Sequence, residues 1–195
     1  MYEVQAIANQ LPMTRQRENE NTPPAETSRE ALLVRAVLAG DREQYARLYD
    51  LYARMVHGIV LARVPHEEVD DLVQDIFLHA LKKLHTLREG AAFGSWIGMI
   101  ARNRAMDFHR RTQASVQLED DAPAPAPAGP LAGQILDMIR SLPDAYRETL
   151  VLRLVEGMTG PEIAVRTGMT AASVRVNLHR GMKLLRAKLG FKEGL

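Results

Sequence analysis

Cysteine is absent from the 195 residues, which excludes disulfides, thiolate zinc sites and cysteine nucleophiles and leaves no mark of an oxidising compartment. No apolar run approaches the roughly 18–20 residues needed to span a bilayer, so membrane insertion is not expected. The opening residues, MYEVQAIANQLPMTRQRENENTPPAETS, lack a basic start followed by an apolar block. They do not read as a signal peptide, and the expected location is cytoplasmic. Also missing are an alternating strand pattern, a glycine-rich phosphate loop and a strand-turn-helix to present a nucleophile. Neither catalytic residues, nor a cofactor, nor a small-molecule substrate is therefore expected.

What is present is ordinary in bulk and unusual in arrangement. Hydrophobic residues make up 46% and charged residues 25%, a globular balance. The length suits one domain or two small ones near the lower limit for independent folding. Net charge is only +1, but it is sorted along the chain. Residues 160–195 hold seven Lys or Arg against two acids, whereas residues 65–75 hold five acids and no Lys or Arg. Such sorting suggests one face for nucleic acid and another for a basic protein surface.

The periodicity is helical throughout, and the expected fold class is all-α. Residues 1–27 are polar, contain Pro23 and Pro24, and are expected to form a disordered leader. Ser28 is placed to cap a first helix ending at Gly40, and Asp41 to cap a second with Tyr45, Leu48, Tyr49, Tyr52, Val56, Ile59 and Val60 on its buried stripe. Pro65 opens a third helix with the cleanest period: Val69, Leu72, Val73, Ile76, Phe77, Ala80, Leu81 and Leu84, with Asp70, Asp71, Gln74 and Asp75 on the solvent side. A glycine-containing loop then leads to a helix with Trp96, Ile97, Ile100, Ala101 and Phe108 on one side and Arg102, Asn103, Asp107, Arg110 and Arg111 away from it. Residues 113–130, QASVQLEDDAPAPAPAGP, have four prolines and no apolar period, and are expected to be a semi-stiff tether between residues 28–112 and 131–190. Residues 191–195 are left as a tail.

The second unit reads as a helix-turn-helix. Thr159 and Glu162 form a capping-box pattern, Pro161 is tolerated in the first turn, Gly168 stops the short helix, and Thr170 caps the next with Ser173 three residues on. Ile163, Ala164, Val174, Leu178 and Leu185 would pack the pair together. Ser173, Arg175, Val176, Asn177 and Arg180 would face outward, where this motif meets the major groove. Arginine grips guanine through two bonds and asparagine grips adenine, while other cations neutralise phosphates. A plain helical hairpin with a solvated basic face shares the turn, but not the combination of caps, turn and outward basic residues.

Three strings, DLVQDIFLHAL, FGSWIGMIARNRAMDFHRR and LPDAYRETLVLRLVEGMTGPEIAVRTGMTAASVRVNLHRGMKLLRAKL, resemble in content, order and spacing the sigma factors of the extracytoplasmic-function group. The resemblance covers roughly residues 30–190. It implies two helical domains, σ2 and σ4, that bind core RNA polymerase and direct it to promoters. It implies that Asp71, Gln74, Asp75 and Phe77 dock on the β′ clamp helices, with Phe77 as an exposed aromatic edge, and that σ4 meets the β flap. Trp96, Asn103, Asp107, Arg110 and Arg111 would open and read the −10 element. For Trp96, as for Phe108, core packing competes with base stacking. Thr170, Ala171, Ser173, Arg175, Val176, Asn177 and Arg180 would read the −35 element. An anti-sigma protein is an implied partner. Gly160 and Pro161 replace the bulkier residues usual before EIA, and Ser173 stands where threonine is usual.

Three other readings are weaker. His66 and Asp70, one turn apart, could begin a metal site, but no second histidine stands at ligand spacing, and no metal is expected. A decoy that titrates an anti-sigma protein has no need of a basic promoter-reading helix. A simple helix-turn-helix regulator accounts for residues 158–189 and leaves the first unit unexplained.

Overall fold

The computed structural model describes residues 24–116 and 131–190, and every regular element among them is helical. Helix α1 spans Pro24–Leu38, four residues earlier than Ser28 suggested. The reason is Pro24: at the first helical position its missing N–H is not needed and its fixed φ suits the helix. Ser28 therefore lies inside α1, while residues 1–23 of the expected leader fall outside the described residues.

Helix α2 covers Glu43–Leu61. The cap position falls on Arg42, which makes no side-chain cap bond, one residue later than expected; Asp41 just before it accepts hydrogen bonds from the Glu43 amide and the Gln44 side chain, both at 3.1 Å. A 3-10 turn, His66–Glu68, stands behind Pro65 and feeds α3, Val69–Lys83. Two further short turns follow, Leu84–Thr86 directly after α3 and Gly90–Ala92 before α4, Phe93–Val116. The helix thus overruns the expected start of the tether at residue 113, because no proline or glycine interrupts it there. Residues 117–130, the rest of that tether, lie outside the described residues. Leu33, Val34 and Val37 of α1 close over Leu48, Tyr52, Met55, Val56 and Ile59 of α2, Val73, Ile76 and Ala80 of α3, and Phe93, Ile97 and Ala101 of α4.

The second bundle consists of α5 (Leu131–Arg140), α6 (Asp144–Leu154), α7 (Gly160–Thr167) and α8 (Ala171–Lys188). Its local signals act as read. Thr159 Oγ1 accepts from the Glu162 amide while the Glu162 carboxylate accepts from the Thr159 amide at 2.7 Å. That amide bond is the main cause holding the Glu162 carboxyl below its usual range. Gly168 ends α7 at φ 75°, a left-handed conformation that glycine alone adopts without strain. Thr170 caps α8 through the Ser173 amide at 3.1 Å. Ile139, Leu150, Leu152, Ile163, Val174 and Leu185 form the buried centre.

Sequence left open how the two units sit, and the structure packs them together, with α2 against α6 and α7, and α4 against α7. The seam is rich in charge. Arg63 donates to Asp144 at 2.9 Å and Glu148 at 2.7 Å, and Arg102 donates twice to Glu148, at 2.6 and 3.0 Å. Hydrogen bonding to Glu148 also pushes Arg102 further up. Arg140 donates to the Leu61 and Val64 carbonyls at 3.0 and 2.6 Å, satisfying acceptors that the end of α2 leaves open. Arg166 donates to the Leu51 carbonyl and lies over the Tyr52 ring, and Arg54 donates to the Glu156 carbonyl. His57 Nδ1 meets Glu156 Oε1 at 2.6 Å.

Two outcomes check this account. Removing either cap by Thr159→Ala or Thr170→Ala lowers stability by about 1 kcal/mol in denaturant titration, the usual worth of such a bond. The second concerns pH. The hydrogen bond to Glu156 holds His57 above its ordinary 6.5. Its stabilisation is therefore complete below that ordinary value and is lost as pH rises through the raised one. The melting temperature of the parent should fall relative to His57→Gln across that window; a pH-independent difference would contradict it.

Candidate nucleic-acid interface

Three exposed surfaces emerge, one on each of α3, α4 and α8. On α8, Val174 and Leu185 turn inward and are buried, and Leu178 packs partly against the core. Their inward pull fixes the opposite face. Thr170, Ala171, Ser173, Arg175, Val176 and Arg180 are exposed, and Asn177 is half-buried at the edge of that face. These are the residues read from sequence as the groove-facing set, presented at the start of a helix whose first turn is fixed by the Thr170 cap. Hydrogen-bond donors, a methyl-bearing side chain and two guanidinium groups share one convex surface, which matches the mixed polar and apolar edge of base pairs.

On α4, Ile97, Ala101 and Ala105 are buried and orient the helix. Asn103, Arg110 and Arg111 are exposed, and Asp107 is half-buried and paired with Arg110. Asn103, Asp107 and Arg110 line one open depression of about 480 Å³ together with Met106. Met106 and Met99 are 58% and 51% exposed, high for apolar side chains, and sequence reading passed over both. Their signal was available: residues 99, 103, 106 and 110 recur at steps of four and three and trace a single helix face. Trp96 stands apart from this set. It is half-buried, packs against the core and lies 5.9 Å from Phe93, ring centre to ring centre, which places it with the packing side chains.

On α3, Asp71, Gln74 and Asp75 are exposed as expected. Phe77 is not. It is 3% exposed, with its ring against Tyr49 at 4.6 Å and Tyr45 at 6.4 Å. Its own carbonyl accepts a hydrogen bond from the Tyr45 hydroxyl, which burial pushes well above its usual range. The physical reason is the helical period, since 73, 76, 77 and 80 form the inward stripe. The apolar residue on the outward stripe is Leu78, 56% exposed, which continues the run 71, 74, 75, 78. The acidic face therefore carries an aliphatic, not an aromatic, edge. Leu51, Arg54, His57, Arg63, Glu148 and Glu156 of the seam have no role in the sequence analysis, and Arg102, placed there on the polar side of its helix, pairs with Glu148.

Two helical units, one presenting a capped helix-turn-helix and the other an acidic helix face beside a polar groove, define a protein of the DNA-reading class. Comparison with known proteins agrees. Residues 48–115 match sigma-70 region 2 and residues 132–185 match sigma-70 region 4. The chain is 30% identical over 160 residues to the RNA polymerase sigma factor CarQ of Myxococcus xanthus, covering 77% of this chain and 92% of that protein. It is 25% identical to the ECF sigma factor BldN of Streptomyces coelicolor, covering 83% of this chain and 66% of that one. In fold it resembles CnrH, solved in complex with the cytosolic domain of CnrY, with a TM-score of 0.57 at 23% identity over 83% of this chain and 97% of that one. The chain belongs to the extracytoplasmic-function group of the sigma-70 family of RNA polymerase sigma factors.

The reassignment on α3 separates two roles that substitutions can measure. Phe77→Ala should cost about 3–5 kcal/mol of stability, as for a buried aromatic. Leu78→Ala should leave the melting temperature nearly unchanged. A large stability loss from Leu78→Ala, with none from Phe77→Ala, would reverse the assignment.

Proposed function

We propose that α8 enters the major groove of the −35 element, that α4 holds unpaired −10 bases, and that the α3 face docks the protein on the clamp helices of core polymerase. The observation that carries this reading is the exposed set Ser173, Arg175, Val176 and Arg180 on the capped second helix of a helix-turn-helix. Arg175 and Arg180 can grip guanine edges or phosphates, and Asn177, at the border of the face, can reach an adenine.

The depression beside Met106 supports the α4 role. An unstacked base needs a polarizable wall for its face and hydrogen-bonding groups for its edge, and Met106 with Asn103 and Asp107 supplies both. Arg110 and Arg111 hold the backbone of the opened strand. On α3, three polar side chains, two of them carboxylates, surround exposed Leu78, a pattern suited to a basic helical partner with an apolar seam. The protein supplies no catalytic group in this reading; polymerase performs the chemistry, in the cytoplasm. No described helix is long and apolar enough to cross a membrane. CnrH, which shares the fold, was solved with the cytosolic domain of CnrY, and an anti-sigma protein is the regulator this reading assigns here.

Separate loss of the two binding activities tests the assignment. Arg175→Ala and Arg180→Ala should each weaken −35 DNA binding about 5- to 150-fold, the range for a lost bidentate contact. Affinity for core polymerase should stay at the parental value. Equal loss of both activities would sink the α8 assignment.

A further inference from the structure

Sulfur in this chain is all thioether: nine methionines and no cysteine. Two-electron oxidants therefore meet no thiol that would consume them first. The fold hides most of these side chains. Met55 and Met158 are 0% and 2% exposed, and Met138, Met169 and Met182 pack partly buried against the core. Among the described residues, Met99 at 51% and Met106 at 58% are the exposed methionines. Both lie on α4, on the face traced by residues 99, 103, 106 and 110.

The two differ in their surroundings. Met106 lines the open depression of about 480 Å³ with Asn103, Asp107 and Arg110, and Met99 does not. Its thioether is the apolar, polarizable part of that lining, beside an amide, a carboxylate and a guanidinium. A small oxidant reaches the Met106 side chain from the same open side that a nucleobase would use.

We propose that Met106 is a site of reversible oxidation by hydrogen peroxide or an organic hydroperoxide, and that its sulfoxide disables the −10 reading surface. The sulfur lone pair attacks the terminal peroxide oxygen. An S–O bond forms as the O–O bond breaks; the leaving hydroxide or alkoxide takes the proton of the transferred oxygen and departs as water or alcohol. Sulfur gives up two electrons and the peroxide gains them. The product is polar and chiral, and its oxygen accepts hydrogen bonds. It replaces the polarizable wall for a base face with a hydrated one. It also adds an acceptor that competes with Asp107 for Arg110, the pair that now stands at the edge of the depression. Both changes weaken the hold on an unpaired base. Methionine sulfoxide reductases restore the thioether. The one methionine of α8, Met182, is half-buried, so the groove-facing set there is unaffected. The inference rests on the −10 reading proposed above.

The test treats the full-length protein with hydrogen peroxide, removes the peroxide with catalase, and only then adds core polymerase. Peptide mass spectrometry should find sulfoxide at Met99 and Met106 well before Met55 or Met158. Run-off initiation by the parent should fall several-fold and recover after the two epimer-specific methionine sulfoxide reductases have acted. Affinity for core polymerase should stay unchanged. Met106→Leu, compared with its own untreated sample, should keep its activity after peroxide, which also separates the effect from Met1 and Met13, outside the described residues. Met99→Leu should lose activity as the parent does. An oxidised Met106→Leu that loses as much as the parent, or full activity from a parent carrying sulfoxide at Met106, would overturn the proposal. An untreated parent that binds core polymerase and starts no transcript would instead bring down the initiation reading, and this inference with it.

Discussion

The carboxylate of Glu148 reaches across the molecule, accepting hydrogen bonds from Arg63, 85 residues away, and from Arg102, 46 residues away. Glu148 is 5% exposed and Arg63 8%. Neither charge could be buried alone, because an unpaired ion in the interior is strongly destabilising. Paired, they tie α6 to the end of α2 and, through the Arg102 side chain, to α4. The remaining seam contacts take their positions from this one: Arg140 reaches the end of α2, and His57 reaches Glu156. The direction in which α8 presents its arginines relative to α4 follows.

Each of the three exposed surfaces owes its geometry to a buried stripe on the opposite side of the same helix. Val174 and Leu185 decide which residues of α8 face outward, Ile97, Ala101 and Ala105 do so for α4, and Val73, Ile76 and Phe77 for α3. Function here needs no strained backbone and no perturbed nucleophile. It needs rigid cylinders that hold ordinary polar groups at fixed spacings. Charge is sorted locally: residues 160–195 hold seven Lys or Arg against two acids, and residues 65–75 hold five acids and no Lys or Arg.

Much of this was legible in sequence because it is local. The Thr159–Glu162 capping box, the left-handed Gly168 and the Thr170 cap involve residues three or fewer apart, and each appears in the structure as its chemistry requires. Helical period correctly separated Val174 and Leu185 from Arg175 and Arg180. Errors arose where two rules competed. Phe77 belongs by period to the inward stripe and was nonetheless assigned outward through family resemblance; its burial shows the period to be decisive. Pro24 was read as part of a disordered leader when it begins a helix. The seam was invisible for another reason. Glu148 and Arg63 look like solvated charges in sequence, and only tertiary packing brings them together.

Run-off transcription with core polymerase on a pool of genomic promoter fragments, with and without this protein, tests the central claim most directly. The account predicts new, discrete start sites that appear only with the protein and share two upstream elements at constant spacing. An unchanged set of start sites, from a preparation that binds core polymerase tightly, would contradict it.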